Sequence, residues 1–125
     1  MLTGELFLIQ ETTNPNENEF CVFFNCNPLH PVFKGHFPDN PVLPGVCMVQ
    51  LVRESLEIIL NKKLQLTQSK NIKFVNIVNP EKENHLRLDL RITYMENECI
   101  EVNATIKSET TSFFQYKGCY KKILK

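Results

Sequence analysis

Between His30 and Gln50 the chain carries four of its seven prolines and two of its four glycines, and then turns abruptly apolar. Proline fixes φ and removes a backbone donor, so Pro31, Pro38, Pro41 and Pro44 make a stiff loop and exclude both a helix interior and a central strand. Immediately beyond, from Val46 to Val52, Gln50 is the sole polar residue. A helix starting near Pro44-Gly45 and running to about Leu60, with Asn61-Lys62-Lys63 ending it, is therefore apolar nearly all round in its first two turns. Further on it becomes amphipathic, with Arg53, Glu54 and Glu57 polar and Leu56, Ile58, Ile59 and Leu60 apolar. Such a helix folds only if something wraps it.

The flanking sequence supplies the wrapping. Residues 5–10 and 19–25 read as two strands of a hairpin, separated by the turn-forming cluster Thr12–Asn18. Residues 70–78 read as a strand ended by Asn79-Pro80. From 85 to 95 the chain alternates, with Leu86, Leu88, Leu90, Ile92 and Tyr94 set against Arg87, Asp89, Arg91 and Thr93. Glu96-Asn97-Glu98 turns it, and 99–107 alternate again with Ile100, Val102, Ala104 and Ile106 on one side. After Glu109-Thr110-Thr111, residues 112–122 close the domain, with Phe114, Tyr116 and Tyr120 sharing a face. One domain over residues 1–125 is predicted, of the α+β class: a curled antiparallel sheet of five or six strands around one long central helix.

Composition narrows the function classes. Fourteen Lys and Arg balance fourteen Asp and Glu, which argues against a nucleic-acid binder. The one basic cluster, Lys117, Lys121, Lys122 and Lys125, reads as a solvated edge. No run approaches the ~20 apolar residues of a membrane span. The opening Met1–Glu5 lacks the basic and apolar regions of a secretory leader. Five cysteines without C-x-x-C spacing argue against zinc or a disulfide framework and for reduced thiols, hence a cytoplasmic location.

Residues 35–46, Gly-His-Phe-Pro-Asp-Asn-Pro-Val-Leu-Pro-Gly-Val, resemble the G-H-F-P-x-x-P-x-x-P-G-V signature of the FabZ/FabA-type 3-hydroxyacyl-acyl carrier protein dehydratases. The signature spans about a tenth of the chain and every fixed position is met, although Asp39 stands where these proteins usually have glycine. The element order is similar to their hotdog fold. The resemblance implies His36 as catalytic acid/base and the backbone amides of Gly45 and Val46 as donors to the thioester carbonyl. It implies an acyl carrier protein bearing a 3-hydroxyacyl chain as partner, elimination of water to a trans-2-enoyl thioester, and no cofactor or metal. It also implies at least a homodimer, with the loop histidine facing the helix residue of the other subunit. Those roles suit the chemistry: histidine titrates nearest neutrality, and a helix start carries unpaired amides where a developing enolate oxygen is stabilised.

One position departs from the family pattern. The second catalytic residue, an acid 14 positions after the histidine, is here Gln50, which hydrogen-bonds but exchanges no proton at neutral pH. Loss of a positioned acid or base typically lowers the rate by ~10²–10⁴-fold. Glu54, a turn further on, is a candidate replacement, while positions 50, 54, 57 and 61 also read as a polar stripe that faces solvent or an interface. His30 reads as structural and His85 as solvated; Cys47 reads as packing, with a nucleophilic role as the rival. Two alternatives to the dehydratase stay open. One is a weak or inactive acyl-binding homologue that partners an active dehydratase. The other is a thioesterase using Asp39 or Glu54.

Overall fold

The computed structural model describes residues 1–34, 41–83 and 85–123, and it shows a hotdog fold, a six-stranded antiparallel sheet curled about one helix. The strands are β1 (Phe7–Asn16), β2 (Glu19–Cys26), β3 (Leu64–Phe74), β4 (Leu86–Tyr94), β5 (Cys99–Lys107) and β6 (Ser112–Lys122), and the helix α1 is Gly45–Leu60. Their order across the sheet is β1-β2-β4-β5-β6-β3, so β1 and β3 are the edges.

The alternation of the sequence is what builds the inner face. Leu86, Leu88, Leu90 and Ile92 of β4 are buried, as are Ile100, Val102, Ala104 and Ile106 of β5. They stand opposite one another in register, Leu88 across from Ile106 and Ile92 across from Val102. On β6, Phe114, Tyr116 and Tyr120 continue the face, with the small Ala104 opposite Tyr116 and Gly118 opposite Val102. Leu51, Val52 and Leu56 of α1 are fully buried in the same core. At about 1.5–3 kcal/mol for each such side chain, this one face anchors the helix.

The helix bounds agree with the sequence reading at both ends. Asn61 ends α1 in the left-handed region at φ 52°, its N–H donating to the Glu57 carbonyl, as asparagine does at helix C-termini. Two strands differ from expectation. The first reaches to Asn16, through the cluster read as a turn, and the tight turn is only Glu17-Asn18. Pro15 is tolerated because β1 is an edge strand whose outer side needs no donor, and the register shifts near Ile9 and Thr13 absorb the irregularity. The third begins at Leu64, six residues before the predicted start. Only its first residue is buried, so it shows no alternation to read. It also ends at Phe74, after which residues 75–78 leave the sheet. Tyr94, read with the inner face of β4, is exposed at the strand end.

Candidate functional site

The stiff loop delivers the chain to α1 through Leu43, whose N–H donates to the Val78 carbonyl at 2.9 Å. Leu43 and Val78 are both buried, which fixes where the helix begins. Pro44 occupies the position before the first helical residue with φ −64° and ψ 142°, and contributes no side-chain cap. No acidic residue lies in the first turn. Among the described residues the amides of Gly45 and Val46 have no hydrogen-bond acceptor, so they stay available at the positive end of the helix dipole.

Gly45 has a close neighbour. A Cβ there would lie 2.5 Å from Cζ and 2.6 Å from Cε1 of Phe74, the last residue of β3. The ring therefore lies directly over the first helical residue. Val46 beside it is 75% exposed.

Gln50 is one turn further along. It lines a shallow cleft of about 400 Å³ together with Met1, Leu2, Glu5, Val46, Cys47 and Glu54. Its Nε2 donates to Glu54 Oε2 at 2.9 Å. Glu54 itself is 1% exposed, and among the described residues no basic side chain forms an ion pair with it. Its Oε2 also accepts from the Leu2 amide at 3.0 Å, and its Oε1 accepts from the Thr3 amide and the Thr3 hydroxyl, both at 2.9 Å. Burial pushes the carboxyl pKa up, but these hydrogen bonds outweigh it and hold the group below the ordinary carboxylate value.

That finding takes Glu54 out of the polar stripe of residues 50, 54, 57 and 61 read as facing solvent or an interface, while Gln50 and Glu57 stay partly exposed and Asn61 exposed. Glu54 is buried and ties the N-terminal segment to the helix. Glu57 accepts from the Leu64 amide at 2.8 Å and fixes the start of β3, and Asn61 is the helix cap. It also removes Glu54 as a stand-in acid, because its lone pairs are occupied and its pKa is lowered, whereas a proton donor near neutrality needs a raised one. For Cys47, which is buried, the structure favours packing over the rival nucleophilic role. Burial raises its thiol pKa despite the helix start, so packing is its role. Burial likewise pushes Cys26 up to about 12.

Of the other sequence candidates, His30 accepts from the Val32 amide through Nδ1 at 3.1 Å and so caps the short 3-10 turn Pro31–Phe33, a structural task. His85 is exposed. His36 and Asp39 lie outside the described residues. The structure thus brings Gly45, Val46 and Gln50 together along one end of α1. It adds three residues that the sequence did not single out, Thr3, Leu2 and Phe74. Their contacts span more than 25 residues of chain and leave no local pattern.

The described residues hold no cluster of three or more histidine, cysteine or acidic side chains placed to bind a metal ion. Among them no helix is long and apolar enough to cross a membrane.

Three comparisons fit this geometry. The family described as ApeI-like, ApeI dehydratase, matches residues 11–116. Among curated proteins, the 3-hydroxyacyl-[acyl-carrier-protein] dehydratase FabZ of Caulobacter vibrioides is 27% identical over 116 residues, covering 91% of this chain and 68% of that enzyme. Among solved structures, the dehydratase heterocomplex ApeI:P from Xenorhabdus doucetiae superposes with a TM-score of 0.73 at 21% identity, over 92% of this chain and 97% of that one. A mutant of thioesterase PA1618 from Pseudomonas aeruginosa shares the fold at a TM-score of 0.63 and 10% identity, over 92% and 81% of the two chains.

Proposed function

Since the chain belongs to the ApeI-like dehydratase family, we propose that it acts on a 3-hydroxyacyl thioester carried by an acyl carrier protein and eliminates water to give the trans-2-enoyl thioester. The observation that carries this reading is the start of α1, where the free amides of Gly45 and Val46 are held beside Gln50. A thioester carbonyl docked on those amides has its α-proton acidified, because negative charge growing on the oxygen meets fixed N–H dipoles. In this proposal His36 removes the α-proton and returns it to the departing hydroxyl, and Gln50 orients that hydroxyl without exchanging a proton. The chain works as a homodimer at least, and in the cytoplasm. No cofactor or metal takes part in these steps.

The test follows enoyl absorbance and free thiol while the protein is incubated with a short 3-hydroxyacyl thioester on acyl carrier protein. Hydroxyacyl–enoyl interconversion that His36→Ala abolishes supports the reading; thiol release instead supports hydrolysis. Absence of both changes sinks both chemistries.

A second reading has its own observation. Gln50 brings no proton, Glu54 is fully engaged, and Glu57 lies two turns from Gln50 with an oxygen on the Leu64 amide, so none of the three is placed as a second acid at the start of α1. A chain so equipped suits an acyl-binding partner of a more active dehydratase. The existence of a dehydratase heterocomplex of this fold in Xenorhabdus doucetiae is consistent with it. Gln50→Glu separates the two. A gain of orders of magnitude in dehydration identifies the missing acid as the limiting feature; no gain favours the partner role.

A further inference from the structure

We infer that Glu54 is a positioning residue that locks the side-chain amide of Gln50, leaving its carbonyl oxygen as the acceptor presented to the cleft at the start of α1 and making that cleft selective for ligands bearing a hydroxyl. The inference rests on the acyl-thioester reading above and deepens it, since it says which chemical group distinguishes a good ligand from a poor one.

The argument begins with Glu54. An ionised carboxylate only accepts hydrogen bonds, and this one already takes three donors from Leu2 and Thr3. The fourth group against it must also donate, so Gln50 can only present Nε2, as the 2.9 Å contact shows. The opposite amide orientation would set carbonyl oxygen against carboxylate oxygen. The carboxyl stays ionised under the four bonds it receives, so it does not become the donor that would turn the amide round.

Once Nε2 is engaged, Oε1 of Gln50 points elsewhere. No protein group among the described residues donates to it, and Gln50 is among the residues lining the cleft with Val46 and Cys47. Thr3 and Leu2 hold Glu54 from behind, which makes the pair rigid. The result is an oriented neutral acceptor one helical turn from the Gly45 and Val46 amides. An acceptor rewards a ligand O–H and gives nothing to a methylene. A 3-hydroxyacyl chain carries that O–H; saturated acyl and 2-enoyl chains do not.

Binding of two thioesters of equal length on acyl carrier protein, one 3-hydroxyacyl and one saturated, tests this. The intact protein is expected to prefer the hydroxyacyl ligand by roughly three- to tenfold, the range of one neutral hydrogen bond. Glu54→Gln frees the Gln50 amide to rotate and should bring that ratio close to one. A merely structural role for Glu54 would weaken both ligands equally and keep the ratio, which overturns the inference. Gln50→Met, close in shape and without the acceptor, should also abolish the ratio, and it decides the matter if Glu54→Gln does not fold. In the unsubstituted protein a side-chain NH₂ proton of Gln50 should be protected from solvent exchange by its bond to Glu54; an NH₂ whose protons both exchange as fast as those of a free glutamine overturns the inference too. If the unsubstituted protein binds neither thioester, the acyl-thioester reading itself has failed, an outcome distinct from binding both without preference.

Discussion

At the scale of single residues, Glu54 makes the sharpest claim about pH. Its folded-state pKa lies below the ordinary carboxylate value, so the native state binds the proton less readily than the unfolded chain does. The stability it contributes is complete above the ordinary carboxylate value, and it is lost as pH falls through the lowered folded value. Replacing it by alanine should cost about 2–3 kcal/mol near neutrality, since buried donors on Leu2, Thr3 and Gln50 lose their acceptor. Thermal melts across pH check this, because the gap between Glu54→Ala and the parent should narrow toward acid. Gly45 leads to a different expectation. Gly45→Ala sets a methyl against the Phe74 ring, which is 56% exposed and free to swing away. Folding should lose only about 1 kcal/mol, while thioester affinity falls because the ring or the helix start must shift. The double variant with Phe74→Ala should recover affinity, a coupling that a double-mutant cycle measures directly. What was legible locally is the helix start at Gly45, announced by Pro44, and the structural task of His30 beside Pro31. The job of Glu54 was illegible because its donors lie 51 and 52 residues away in sequence.

At the scale of elements, the contrast lies within α1. Leu56 is fully buried and Ile58, two residues on, is 55% exposed. Leu56→Ala should cost about 2–5 kcal/mol, by lost transfer energy plus the cavity left behind. Ile58→Ala should stay within about 0.5 kcal/mol. Urea unfolding with an unchanged slope distinguishes these from an altered unfolded state. The same contrast explains which elements could be read in advance. β4 and β5 present one face to the core and one outward, so Leu86 to Ile92 and Ile100 to Ile106 carry the two-residue period in plain form. β3 lies at the edge with only Leu64 buried, and no force imposes a period on Gln65 through Lys73. β1 is exposed nearly throughout too, so its passage through Asn14-Pro15 broke no rule that burial would have enforced.

At the scale of the molecule, β3 is an edge of the sheet with an exposed apolar flank. Along and just past it stand Ile72, Phe74, Val75 and Ile77, exposed by 40, 56, 47 and 66%, and Val46 at the start of α1 is 75% exposed. An edge strand with unpaired backbone groups and an apolar flank invites another strand, and proteins that keep such an edge bare usually blunt it. A second copy pairing along β3 would extend the sheet and cover these side chains. Because the Phe74 ring lies over Gly45, that interface would border the free amides of α1. Light scattering after size exclusion should therefore give twice 14.6 kDa for the unsubstituted chain, and Ile77→Glu should shift it toward 14.6 kDa. The melting temperature of the parent should rise with protein concentration, as expected where association stabilises the fold, and that of Ile77→Glu should not. Thioester affinity should fall along with the dimer, because the apolar cover over the helix start departs with the second copy. A parent that runs at 14.6 kDa at every concentration would show that β3 is not a self-pairing edge and that the apolar flank waits for a different chain.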